Sequence, residues 1–590
     1  MTFTEKHEGG YTLIEILIAL AIFSFVAYSM YVAFTGVLDV ISRSRWRDEE
    51  ISIAAEEIEK VRNLPYSDVG ILGGYPTGKL SAEKTRSIGG VIFSIKTTVR
   101  NVDDPFDGTA GGNPNDTAPA DYRLVEFEVS CSSCAGLAPL YITTTVAPRS
   151  LETATRNGSI FIDVSDSSGR RVPGAAVLVK NTTHSPPITI TDETNVGGLL
   201  QLIDIPTSTA SYSIEVTKPG YSTDKTYPLG EEGNPNPKNK HVTVAEQQVS
   251  SASFFIDTLS TLRVQSQNAF CGAVPNVVFD IKGNKLIGED PDVLKYAATS
   301  TTDSMGSASL SLEWDAYTVT NQSAMLDIAG MLPLSPFIIN AGTSSTLALM
   351  MEPATTSSLL VAVANASGTP INDARVTLAK AGFSSTLWTG RNKATATDWS
   401  GGQYESKSPG AESDAFPGDI RIAVSNGKYS TTTIEWLISH SFDFGTSSTS
   451  FFGLIWQPET QPAQTGADSL RFQIASNNDN ATWNFIGPDG TAASYYAVTG
   501  TPIHASHAGN RYLRYEAYLK TADPNFTPGV TDVAVEFGSG CLPAGQIFFG
   551  GLTSGIYTLT VEKAGYQTLT DSNVSISSGW QKKQLILTAQ

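Results

Sequence analysis

The sequence predicts an α+β chain that is mostly β. One long N-terminal helix leads into a small antiparallel-sheet head, then serial β-sandwiches, the last with a further β module inserted. Three observations carry this reading. An uncharged run of 23 residues, Ile16–Leu38, stands near the N-terminus. The rest alternates short strand-like runs with turn formers, drawing on Gly 51 and Pro 30. A strand–turn–strand pattern recurs three times, and its last copy is split.

Composition bounds the function. A chain of 590 residues predicts about three to five domains. With 41% hydrophobic and 16% charged residues it is too apolar to be broadly disordered, and each domain can bury a core. The net charge of −19 disfavours a nucleic-acid partner, because phosphate binding needs clustered cations. Four cysteines are too few for a disulfide scaffold, and six histidines leave little for histidine chemistry.

The first element is the helix, expected over 11–64. At 1.5 Å per residue the uncharged run spans a bilayer core of about 30 Å, so 11–41 is the membrane-spanning half. Glu15 lies at its edge, where a carboxylate costs roughly 2.5–3.5 kcal/mol at mid-bilayer depth and less near an end. Beyond the membrane, Ile51, Ala54, Ala55, Ile58 and Val61 keep helical spacing among charges, which gives one apolar stripe for a head. Pro65 ends the helix.

Residues 1–10, MTFTEKHEGG, form a short polar leader that ends in Gly9-Gly10, and YTLIE follows it. This resembles the type IV prepilin cleavage and methylation signal. The resemblance implies cutting after Gly10 by a prepilin peptidase and methylation of the new amine on Tyr11, where Phe is usual. It implies that Glu15 pairs with the amine of a neighbouring subunit and so sets assembly register. The partners it implies are other pilin subunits, the peptidase/methylase, and the inner membrane before assembly. Arg43, Arg45 and Arg47 outnumber Lys6, so a charge count alone puts the C-terminus inside. The resemblance implies the opposite: leader inside and modules outside, on the cytoplasmic membrane as precursor and then in a surface filament.

Residues 65–150 are expected to form the head, with strands at 90–99, 122–129 and 140–146. The loop DDPFDGTAGGNPNDTAPAD separates the first two. Cys131-Ser-Ser-Cys134 has redox spacing, but no helical pattern follows it, so a structural disulfide closing a turn is expected.

The repeats follow. SIFIDVSDSSGRRVPGAAVLVK, LRVQSQNAFCGAVPNVVFDIKG and LLVAVANASGTPINDARVTLAKAGF each open a copy, and each later carries a Tyr-x-[Ile/Leu/Val] strand. They resemble carboxypeptidase regulatory-like domains, which implies Ig-like, seven-stranded β-sandwiches at 157–257, 259–352 and 357–402 plus 541–590. The second copy lacks the Gly-Tyr that follows the last strand of the first. From Ala175 to Tyr212 is 37 residues, but from Ala374 to Tyr557 is 183, so a further module of 403–540 fits inside the third copy. Its segments WNFIGPDG and RYLRY resemble a discoidin-like, galactose-binding-like jelly roll, which implies a carbohydrate- or surface-binding module.

Candidate sites were weighed against packing. Tyr495, Tyr496, His504, His507 and Arg511 offer a sugar-binding rim of aromatic and polar groups, with the two histidines expected to be exposed. Trp483, Tyr512 and Tyr515 read better as packing. Asn477-Asn478-Asp479-Asn480 offers oxygen ligands for calcium through Asn477 and Asp479, although a polar turn explains it better. Asp103, Asp104, Asp107, Asn113 and Asp116 make a second calcium candidate with the same competing reading. Cys271 and Cys541 lie in neighbouring modules and can bridge them if geometry permits. No G-x-S-x-G, H-E-x-x-H or Walker loop occurs, so no enzyme and no cofactor, calcium apart, is expected.

Together these readings point to a large minor or tip pilin-like subunit that displays β modules for attachment to a glycan or surface polymer. The alternatives are a pseudopilin of a secretion or DNA-uptake machine, or an anchored stalk that never polymerises.

Overall fold

The computed structural model describes residues 12–134, 136–149, 154–414 and 418–590. Gly10 and Tyr11 lie outside the described residues. The chain is mostly β after one long helix. It divides into two compact units, one running to Thr258 with Leu286–Val293 added, the other comprising Leu259–Lys285 and Leu294–Gln590.

In the first unit, helix α1 runs from Leu13 to Arg62. It is slightly shorter than the expected 11–64 because its flanks serve as caps. Thr12 Oγ1 accepts from Glu15 N at 3.3 Å and Glu15 Oε2 accepts from Thr12 N at 2.9 Å, a reciprocal capping box. Asn63 closes the other end two residues before Pro65. Ser24, Ser29 and Thr35 donate to carbonyls one turn back, so these three hydroxyls are satisfied within the apolar half itself. The lower half buries Ile53, Ala54, Glu57 and Val61 against the head.

That head is an antiparallel meander of β1 (Glu83–Ile88), β2 (Val91–Val102), β3 (Tyr122–Ser130) and β4 (Leu140–Val146). Alternation puts Phe93, Ile95 and Val99 of β2 and Val125, Phe127 and Val129 of β3 into the core under the helix. Sequence reading missed β1, since EKTRSI is polar on both faces and lies at the sheet edge. Cys131 and Cys134 form a disulfide just after β3.

The first sandwich packs against this head. Arg100 of β2 makes two bonds to Asp192, at 2.6 and 2.5 Å, and Asn101 donates to the Ile203 carbonyl at 3.1 Å. One of its sheets pairs Val249–Phe255, Gly158–Ser165 and Leu199–Ile205; the other centres on Ser208–Thr217 and Ala176–Asn181.

In the second unit, two further sandwiches repeat the same chemistry. Each of the three closes by pairing its last strand parallel to its first: 249–255 with 158–165, 344–353 with 260–267, and 579–587 with 357–365. Each buries a tyrosine whose hydroxyl donates to a carbonyl four to six residues upstream: Tyr212 to Pro206, Tyr317 to Glu313, Tyr557 to Thr553. Each buries a threonine, Thr194, Thr302 or Thr389, whose hydroxyl accepts a backbone N–H at the start of the second strand. The repeat is thus carried by side chains that satisfy buried backbone groups.

The inserted part leaves the third sandwich after Phe383–Trp388 and rejoins it at Gln546–Phe549. It starts earlier than the expected 403: Asn392–Ala396 already pairs with Asp532–Gly538, which in turn pairs with Ser450–Gln457. The short polar strand NKATA gives no hydrophobic signal, so nothing local in the sequence marks this start. A second sheet centres on Tyr512–Leu519, flanked by Leu470–Asn477 and Glu435–Ile438. One core, including Trp399, Trp456, Phe472, Tyr515 and Phe537, serves both sheets. Phe270 of the second sandwich stacks on Phe537 at 5.3 Å, and Cys271 is bonded to Cys541 beside it.

Candidate functional site

Two regions bear on function: the bare half of α1 and the outer face of the inserted part. Along α1, an 18-residue window has mean hydropathy 2.2 and none of it is buried. Such a surface requires lipid or other apolar helices around it. Glu15 stands at its start, and among the described residues its carboxylate is engaged only by Thr12, through the backbone N–H at 2.9 Å and the hydroxyl at 3.0 Å. Further down, Arg47 pairs with buried Glu50 at 2.7 Å and donates to the Ala138 carbonyl at 2.7 Å. Arg43 reaches Asp39 at 3.6 Å. The basic cluster that tipped the charge count is therefore partly spent inside the protein.

In the inserted part, the five residues expected to form a rim do not form one. Tyr496 is fully buried and its hydroxyl accepts from His504 N at 3.1 Å. His507, expected in solvent, is 3% exposed, with Nδ1 2.8 Å from Ser476 Oγ. Burial pushes its pKa down to about 4, so the ring is neutral at pH 7. His504 Nδ1 caps the short turn through Ser506. Arg511 is locked to Asp443 by two bonds of 2.7 and 2.9 Å. The polar context SHAGN suggested exposure, but the turn folds down as a cover over strand 470–477, and a small-residue loop reads alike in both cases.

The Asn477–Asn480 segment is a polar turn. Asp479 accepts from Ala481 N, Thr482 N and Thr482 Oγ1 at 2.8–3.0 Å, Asn477 Oδ1 accepts from Asn480 N, and Asn480 Oδ1 accepts from Ser441. These oxygens already meet donors within the turn and its neighbour.

The alternation of RYLRYEAYLK holds what the sequence reading passed over. Leu513, Tyr515, Ala517 and Leu519 point into the core, so Tyr512, Arg514, Glu516 and Tyr518 share the opposite face. Trp436 and Arg471 stand opposite Tyr518 on the two flanking strands. The Arg471 guanidinium lies over the Tyr495 ring at 3.8 Å and near Tyr518 at 6.0 Å, and among the described residues it has no carboxylate partner. Arg514 stacks on Trp483 at 4.3 Å. Tyr518 donates to Gln473 at 3.0 Å, and burial raises the Glu516 pKa. The result is a cluster of half-exposed rings in which Tyr495 and Tyr518 meet edge to face at 5.3 Å and guanidinium groups stack on Tyr495 and Trp483. Rings so placed offer faces to C–H surfaces, and the guanidinium and carboxyl groups offer bonds to hydroxyls.

Residues 6–27 match the family model of the prokaryotic N-terminal methylation motif. No curated protein matches the chain. Among solved structures, the Bacillus anthracis TIE protein is 13% identical, with 53% of this chain and 67% of that one covered, at a TM-score of 0.15. The streptococcal ancillary pilin is 10% identical over 74% of this chain and 99% of its own, at 0.14. The shaft pilin SpaA of Lactobacillus rhamnosus GG is 12% identical over 33% and 98%, at 0.13. Likenesses this low carry no argument. The family match does: the N-terminus is of the prepilin methylation type, and it is followed by the bare apolar helix.

Proposed function

We propose that this chain is a large pilin-like surface subunit, minor or at the tip of a filament, whose β modules serve attachment. The observation that carries this is the uncovered apolar half of α1 directly behind a methylation motif. Before assembly the helix is held in the cytoplasmic membrane with the leader inside. Prepilin peptidase cuts after Gly10, Tyr11 is methylated, and other pilin subunits then replace lipid around the helix. Glu15 supports this order of events. Its only described partner is Thr12, so the carboxylate can exchange that bond for the amine of a neighbouring subunit in a dry bundle. The outer face with Trp436, Arg471, Arg514 and Tyr518 supports an adhesive role toward a glycan or surface polymer. The role proposed is structural and adhesive, not catalytic.

Replacing Glu15 tests assembly. Glu15→Gln keeps the cap but removes the charge, whereas Glu15→Ala removes both. Both variants are expected to reach the membrane at normal levels and to be missing from sheared filaments. Wild-type incorporation of Glu15→Gln would show that the charge has no part in register.

A further inference from the structure

The loop between β2 and β3 brings together three carboxylates, of which the sequence reading groups Asp103 and Asp116 as a calcium candidate and leaves out Asp121. Asp103, Asp116 and Asp121 each present an oxygen, and these oxygens all lie within 4.8 Å of one another. Each side chain spends an oxygen on shaping the loop. Asp103 Oδ2 accepts from Ala110 N at 2.8 Å, Asp116 Oδ1 accepts from Ala118 N at 2.8 Å, and Asp121 Oδ2 accepts from Asp104 N. What remains is unusual. Asp103 Oδ1 and Asp116 Oδ2 each expose less than 1 Å² and meet no donor among the described residues. Buried carboxylate oxygens without a donor are costly, and two of them converging on a third carboxylate repel one another as well. Among the described residues nothing relieves this; a cation would.

We propose that Asp103, Asp116 and Asp121 bind a calcium ion that fixes the head's long loop. The donors are all hard oxygens, which excludes a zinc-like preference for sulfur and nitrogen. Calcium takes roughly 6–8 oxygen ligands in flexible geometry, whereas magnesium demands a near-ideal octahedron, keeps several waters and is usually held by one or two carboxylates, so three loop carboxylates suit calcium better. Asp104, Asp107 and Asn113, grouped with Asp103 and Asp116 in the sequence, are not among the three. The inference is independent of the adhesive face and of filament assembly.

The test uses the full chain in detergent micelles, titrated calorimetrically with calcium chloride and then with magnesium chloride. Wild type is expected to bind one calcium, and magnesium much more weakly. Asp116→Asn is expected to weaken calcium ~100-fold, since ligand charge sets affinity. Asp479→Asn, in the polar turn of the insert, is expected to leave binding unchanged. Unfolding in a chelator supplies a second readout. There Asp116→Asn removes repulsion and is expected to melt no lower than wild type, while in calcium wild type melts higher. No calcium heat from wild type would overturn the proposal, as would equal affinity in Asp116→Asn. A variant that melts lower in chelator would mean that a shared proton, not a metal, satisfies the pair, and would overturn it too.

Discussion

His507 combines burial with a group that titrates near neutrality. In the folded insert its ring accepts a proton only near pH 4, because burial and nearby His504 both oppose the charge; unfolded, it does so near 6.5. Between these values the unfolded chain holds the extra proton, so this group makes folding weaker as pH falls from about 6.5 to 4. The full difference amounts to about 3–4 kcal/mol. His507→Gln can retain a bond to Ser476 but cannot titrate. Denaturant unfolding of wild type and variant should therefore diverge at neutral pH and converge toward pH 4, with the variant showing the shallower acid slope. Parallel slopes would mean that the ring is protonated in place. The same residue shows what the sequence conceals. Its neighbours are small and polar, and only the sheet beneath them decides that the ring is covered.

At the scale of elements, legibility followed hydrophobic signal. The helix was readable to within two residues, because an uncharged run, a stripe and Pro65 mark it, and because Thr12 and Asn63 are caps. Strands β2, β3 and β4 alternate cleanly and were readable; β1 and Asn392–Ala396, with little apolar content, were not. The outer face of Tyr512–Leu519 is hidden differently: Tyr512 and Tyr515 both read as packing in sequence, and Tyr515 is buried, but the period of two turns Tyr512 outward together with Tyr518. Parallel closure of each sandwich had no local sign, since register between distant strands is a property of the fold. The Cys271–Cys541 bond joins elements 270 residues apart. It sits beside the Phe270–Phe537 stack, so it staples the inserted part to the second sandwich. Removing so long a cross-link with Cys271→Ser plus Cys541→Ser should cost about 2–4 kcal/mol. Calorimetry would show it as a lower melting transition for this unit. No shift would mean that packing around Phe270 alone holds the joint.

At the scale of the whole molecule, anchoring and attachment are assigned to parts that do not share a core. The core of the third sandwich contains residues 359–378 and 549–587 and none from the inserted part. The inserted part leaves and returns at neighbouring points, for a Cβ on Gly538 would lie 3.1 Å from the Gly390 carbonyl oxygen. Residues 391–537 can therefore be replaced by one or two glycines without stretching the host strands. Phe270 loses its cover in that deletion, so Phe270→Ser accompanies it to avoid an exposed ring. The host sandwich should still fold, because its buried tyrosine, buried threonine and parallel closing strands all lie outside the deleted span. If attachment resides in the inserted part, the shortened chain should enter filaments at the wild-type level while cells lose adhesion to their surface polymer. If adhesion persists, the binding face is elsewhere and the cluster of rings around Arg471 is only packing. If incorporation falls as well, the modules have a part in assembly, and the separation of a helix that polymerises from modules that bind would have to be abandoned.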